Sequence, residues 1–193
     1  MLLKPNNLKK LNIEELGKLF PVIISDPNPD WMKIFNSEKN KIEKILGKQN
    51  IIKIEHIGST AVPGLKAKPT IDILIEIPDG TGKKLIITKF KQLSYDYIPR
   101  PENPPPHMMF ARGYTTHGFS GQAFHVHIRY SGDWDELYFR DYLISHPGIA
   151  REYEGLKILL ANKYRNDREA YTNKKTEFIR RISELAKKEK KSI

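Results

Sequence analysis

The chain has 193 residues, 39% of them apolar and 10% aromatic, which is enough for one packed core and excludes general disorder. Cysteine is absent, so disulfides and thiolate metal sites are excluded, and no run approaches the ~20 apolar residues of a membrane-spanning helix. Lys and Arg number 33 against 23 Asp and Glu, a net charge of +10, and residues 151–193 hold 13 of those cations against 7 acids.

A basic surface attracts nucleotides and other polyanions through its summed field. No zinc knuckle, helix-turn-helix signature or RNA-binding aromatic motif accompanies it, so nucleic acid is not the favoured partner. The opening "MLLKPNNLKK" lacks the apolar stretch of a signal peptide. The expectation is one cytoplasmic domain over residues 1–193, with no membrane partner.

A Pro-rich segment leads into the first strong helix. Trp31, Ile34, Phe35, Ile42, Ile45 and Leu46 recur at helical spacing, with Asp30 as N-cap and Gly47 as the breaker that ends it. "IIKIEHI" reads as a strand, "GSTAVPGLKAKP" as a loop and "TIDILIEI" as a second strand. "PDGTG" is a turn and "KKLIITKFKQLS" a helix. Prolines then exclude regular structure around 99–106. "HMMFARGY" reads as a short strand, "GFSGQ" as a turn and "AFHVHIRY" as an alternating strand. The rest, from about 133 to 190, is helical: "WDELYFRDYLISH" with an Asp133–Glu136 capping box, a second helix opening at Pro147, and one long helix from Arg168. Strands in the centre, a leading helix and a helical C-terminal third make an α+β domain.

The chemistry concentrates in the second strand. Alternation places Ile71, Ile73, Ile75 and Ile77 on one face and Asp72, Leu74 and Glu76 on the other. A carboxylate near the Gly58–Ser59 turn can hold a divalent cation while the turn's N–H groups donate to phosphate oxygens. The loop brings Thr60, Lys66 and Lys68 close to the same strand ends, and Lys beside a cation-bound carboxylate suits a phosphorylated ligand. His125 and His127 share one face of their strand and Arg129 continues it, so Asp72, His125 and His127 form a candidate metal trio. The alternative is that these imidazoles only hydrogen-bond Asp72 or loop backbone. Arg112 and Arg140 are further anion candidates, and Arg140 serves equally as an ion-pair partner.

Three stretches, "HIGSTAVPGLKAKPTIDILIEI", "FHVHIRY" and "LYFRDYLISHPGIAREYEGLKILLA", resemble the GrpB family, and the resemblance runs from about Trp31 to Ala186. That family is similar in fold to nucleotidyltransferases and is in some bacteria fused to dephospho-CoA kinase. The resemblance implies a nucleotidyltransferase-like short mixed sheet with helices packed on it, and a Gly-Ser turn followed by acids on a strand. It implies Asp72 as principal ligand of Mg or Mn, helped by Glu76 or by His125 and His127, through which Zn also becomes possible. Gly58, Ser59 and Lys68 would cradle phosphate, Arg112, Arg129 or Arg140 would neutralise charge, and Lys175 of "YTNKKTEFI" would face the cleft. The superfamily pattern has a second acid two residues after the first, and here that position is Leu74. Three functions therefore stay open. They are nucleotidyl transfer to an unspecified acceptor, a non-catalytic module binding a nucleotide or phosphorylated molecule, and a His/Asp metal-dependent hydrolase of a phosphorylated small molecule.

Overall fold

The computed structural model describes residue 8, residues 11–103 and residues 105–191. The opening decapeptide, apart from Leu8, and the last two residues lie outside it, as does Pro104 of the Pro-rich stretch. The helices in chain order are α1 (Ile13–Leu19), α2 (Trp31–Leu46), α3 (Lys83–Gln92), α4 (Asp135–Ser145), α5 (Pro147–Lys163), α6 (Arg168–Asn173) and α7 (Thr176–Lys191). The strands are β1 (Lys53–Ile57), β2 (Thr70–Ile77), β3 (Asp96–Ile98), β4 (Met108–Thr115) and β5 (Gly118–Tyr130). The five strands form one mixed sheet in the order β1-β2-β5-β4-β3. Only β2 and β5 run parallel, with Asp72 opposite His125 and Leu74 opposite His127.

The alternation in β2 decides the layers. Ile71, Ile73, Ile75 and Ile77 join Phe110, Phe124, Val126 and Ile128 in the main core, under Trp31, Phe35, Ile42 and Leu46 of α2 and Ile86 and Phe90 of α3. Buried α2 positions 31, 35, 38, 42 and 46 recur every three to four residues, the spacing of one helix face. At full burial each Ile or Phe contributes roughly 1.5–3 kcal/mol, so this face supplies the largest share of the stability. The opposite face, with Asp72, Leu74 and Glu76, is covered at one end by α1 through Leu16 and Phe20 packed on Met109, Ala111 and Ala123. The C-terminal helices cover the rest, Phe139, Leu143, Tyr153 and Ile182 forming their own core with Val62 and Leu65 of the β1–β2 loop. The α+β mixed sheet with a helical C-terminal third is thus as expected; helices cover both of its faces, not one side alone.

Some local expectations fail for physical reasons. "GFSGQ" is not a turn but the start of β5, because Thr115 and Tyr114 pair with Gly118 and Phe119. The turn itself is Thr116–His117. The glycines there serve twisted strand geometry: Gly113 (φ 92°) sits where the β4–β5 register shifts, and a Cβ on it would lie 2.8 Å from the Gln122 carbonyl oxygen. The long helix expected from Arg168 is broken into α6 and α7 at Lys174 and Lys175. The Asp133–Glu136 capping box does not form, since Asp133 faces Lys187 and Glu136 takes Arg129. Asp30 occupies the α2 cap position without a side-chain capping bond. The three-residue β3 carries no periodic signal and arises by pairing with β4.

Candidate functional site

Asp72 lies near the start of β2, where the β1–β2 connection folds back on it. Gly58 has φ 73° and ψ −172°, an extended left-handed conformation natural only to glycine. A Cβ there would fall 2.7 Å from Asp72 Oδ2, so the glycine also permits the turn to touch the carboxylate. Ser59–Ala61 then make one 3₁₀ turn. Thr60 Oγ1 donates to the Thr70 carbonyl (3.0 Å) and therefore accepts from His56 Nε2 (3.0 Å). His56 is stacked on Phe35 at 4.7 Å, and its Nδ1 has no partner among the described residues. Burial pushes its pKa down to about 4.

A second hydrogen-bonded chain runs behind Asp72. His125 Nδ1 lies 3.0 Å from Asp72 Oδ1, and His125 Nε2 lies 2.7 Å from the Tyr114 hydroxyl, which accepts from Arg168 Nη2 at 3.3 Å. An ionised carboxylate only accepts, so Nδ1 carries the proton and Nε2 accepts from Tyr114. Burial pushes the His125 pKa down to about 4, in keeping with a neutral ring. Burial alone would raise the Asp72 carboxyl, but the hydrogen bond from His125 and the nearby His127 ring outweigh it and hold the acid well below the usual carboxylate range. Asp72, 28% exposed, is left with an oxygen toward the cavity, and His127 Nε2 stands 4.0 Å from its Oδ1.

That cavity measures about 310 Å³ and lies between the sheet and α5–α6. Its walls gather Lys68, Arg100, Lys157, Arg168 and Lys175 against Asp72 and Glu169. Lys157 is 1% exposed, its ammonium donating to the Lys66 carbonyl and lying 4.9 Å from the Tyr153 ring. Lys175, at the α6–α7 break, sits 4.1 Å from the Tyr171 ring. Among the described residues no carboxylate comes within ion-pair distance of Lys68, Lys157, Arg168 or Lys175. Burial and the neighbouring cations act in the same direction. Burial, then Arg168, holds Lys68 well below an ordinary lysine. Burial, then Lys175, takes Lys157 to about 7, and burial takes Lys175 to about 8. Closely spaced cations without counterions form an electrostatic trap for an anion.

Of the residues singled out in the sequence, the fold brings together Gly58, Ser59, Thr60, Lys68, Asp72, His125, His127 and Lys175. The others point elsewhere. Glu76 lies four residues along β2 (~13 Å), accepts from Ser131 Oγ at 3.0 Å and lines a different cavity, while Leu74 between the acids is 1% exposed. Lys66 reaches Asp26 at 2.8 Å, and its backbone ties down Glu154 and Lys157 of α5. Arg112 is on the α2 face, pairing with buried Glu38 at 2.7 Å between the rings of Tyr95 and Phe124. Arg129 donates from Nη1 and Nη2 to the two carboxylate oxygens of Glu136 and is stacked on Trp134. Arg140 binds Glu55 at 2.6 Å and the His56 carbonyl at 2.9 Å. Among the described residues no group of three His, Asp or Glu side chains is arranged to hold a metal ion, and both nitrogens of His125 are engaged, with Asp72 and Tyr114.

Sequence reasoning missed Lys157, Arg168 and Tyr114. Lys157 had a signal, since it interrupts the buried stripe of Tyr153, Leu160 and Ala161 at helical spacing. Arg168 and Tyr114 had none, because only the packing of α6 on the β4–β5 hairpin joins them.

An α+β sheet domain with a lysine-lined cleft around a single strand carboxylate is the class that fold and site define. The chain belongs to the GrpB family, whose model, described as GrpB protein, matches residues 21–185. It is 41% identical over 157 residues to UPF0157 protein PA4798 of Pseudomonas aeruginosa, a match covering 80% of this chain and 63% of that protein's length. It is 35% identical over 165 residues to the glutamate-rich protein GrpB of Alkalihalophilus pseudofirmus, covering 83% of this chain and 93% of that one. Among solved structures, GrpB from Enterococcus faecalis matches 86% of this chain and 98% of its own, with TM-score 0.75 and 32% identity.

Proposed function

We propose that this protein binds a phosphorylated small molecule, a nucleotide foremost, in the cleft at Asp72. The carrying observation is the convergence on Asp72 of Lys68, Lys157, Arg168 and Lys175, none of them ion-paired with a carboxylate among the described residues. Lys68 and Arg168 would meet phosphate oxygens, with Ser59 and the turn after Gly58 closing one side. A divalent cation, Mg or Mn, would be shared between Asp72, with His127 beside it, and the phosphates.

A specific observation favours binding over nucleotidyl transfer. Two-metal transfer uses carboxylates that clamp ions ~3.5–4 Å apart. On β2 the second position is buried Leu74, and Glu76 is held by Ser131 away from the cleft. A metal-dependent hydrolase built on His125 and His127 would require His125 to give up its bond with either Tyr114 or Asp72.

Titration calorimetry with ATP, GTP, CTP, UTP and inorganic triphosphate, with and without Mg²⁺ or Mn²⁺, tests the reading. Binding by the wild type, weakened at least tenfold in Lys68→Ala and Lys175→Ala, is the expected result. No binding of any of these anions would overturn it.

A further inference from the structure

A second cavity of about 390 Å³ adjoins the anion cleft, with Lys68 and Thr70 lining both. Its other walls are largely apolar: Pro21, Ile23, Pro69 and Phe119. Ile23 is 44% and Phe119 42% exposed. The Phe119 ring lies in a row with the site. Its centroid is 5.4 Å from the Tyr114 ring, which stacks 5.6 Å from His125, the residue bonded to Asp72. Arg168 sits beside that row, its guanidinium 5.8 Å from the Phe119 ring and 5.5 Å from the Tyr114 ring. An open aromatic ring is thus two ring-to-ring steps from the carboxylate, with a cleft cation alongside.

The groove is also equipped with a polar reader. Gln122 donates from Nε2 to the Pro69 carbonyl (2.9 Å) and the Ala123 carbonyl (3.0 Å). With its amide nitrogen so held, Oε1 has no hydrogen bond among the described residues and is offered as an acceptor. An aliphatic tail would fill the apolar walls and leave that acceptor idle. A planar heterocycle with amino groups on its edge would use both. We infer that the Phe119 groove receives the nucleobase of the ligand whose phosphates occupy the Lys68–Arg168 cleft, an inference that rests on the anion-binding reading above. Base–aromatic stacking is tolerant of sequence because every base has a π-face, so the groove would confer preference for nucleotides over bare polyphosphates.

The experiment compares ATP with inorganic triphosphate on the full chain by calorimetry. The wild type should bind ATP more tightly. Phe119→Ala should weaken ATP by about fivefold to 150-fold, the range of one lost stacking contact. Its triphosphate affinity should stay unchanged, and Phe119→Trp should restore ATP binding. Phe119 also packs on Phe20 at 5.2 Å, so a measurement on the wild type guards against a folding defect. Intermolecular nuclear Overhauser effects should connect adenine H2 or H8 to the Phe119 ring protons. Equal ATP and triphosphate affinities in the wild type, no change in Phe119→Ala, or no such effect would each overturn the nucleobase groove while leaving the anion site standing. Failure of the wild type to bind triphosphate or ATP at all would remove the anion site, and this inference with it.

Discussion

Substituting Gly58 by Ala tests the close approach of the turn to Asp72. Two costs are set by the geometry. The first is conformational: φ 73° with ψ −172° belongs to a region open essentially to glycine, and holding another residue there costs about 1–3 kcal/mol. The second is steric, because the new methyl would lie 2.7 Å from Asp72 Oδ2. Asp72 has little room to retreat, being on a strand paired on both sides with Oδ1 bonded to His125. Displacing it weakens a charge-assisted hydrogen bond that contributes about 1.5–3 kcal/mol. Together the two effects predict a loss of about 3 kcal/mol, or about 6–12 °C in Tm for a domain of this size. Urea denaturation measures it, with Gly80→Ala as control. Gly80 also has positive φ (80°), but nothing lies within 4 Å of the point its added methyl would occupy, so only the conformational cost of about 1–2 kcal/mol applies. If Gly58→Ala were no more destabilising than Gly80→Ala, the close approach of the turn to Asp72 would be refuted.

Further outcomes follow from the charges. Lys157 and Lys175 have folded pKa values of about 7 and about 8, below an ordinary lysine. The unfolded chain therefore binds more protons between about pH 7 and 10, and the ligand-free protein should gain stability as pH rises through that window. An anion in the cleft favours the charged lysines, so triphosphate binding at pH 8 should take up protons and weaken toward pH 9, which calorimetry in buffers of different ionisation enthalpy measures. His56 and His125, both lowered to about 4, stay neutral in the fold while the unfolded chain protonates near 6.5, so stability should fall as pH drops from about 6.5 to 4. His56→Phe should keep the stack on Phe35 and flatten part of that fall in denaturation midpoints measured across the range. Arg112→Ala should cost about 1.5–3 kcal/mol by taking the guanidinium from buried Glu38, which keeps Lys41 and the Tyr95 hydroxyl, while triphosphate affinity stays as in the wild type. A large loss of affinity in a folded Arg112→Ala protein would contradict its placement on the α2 face.

The local pattern was legible where one physical rule acts alone. Alternation in "TIDILIEI" assigned the two faces of β2, and the 3–4 spacing of α2 marked the stripe that covers one of them. The Gly-Ser turn and the acid were readable as near each other because one connection, residues 58–69, joins consecutive strands. His125 beside Asp72 is different. Fifty-three residues separate them, and only the parallel pairing of β2 with β5 makes them opposite. The arginines show the limit most plainly. A guanidinium's sequence position does not say which carboxylate it meets, and Arg112, Arg129 and Arg140 each found one away from the cleft.

By itself the sequence determined the apolar faces of β2 and α2, which strand would carry the acid and that the C-terminal third would be helical and basic. These properties depend on side-chain type and local periodicity. The tertiary structure decided which cations stand around Asp72. Lys157, Arg168 and Lys175 lie on α5, on α6 and at the α6–α7 break, far from β2 along the chain. Their convergence comes from packing that covers the second sheet face, a long-range event that no local pattern encodes.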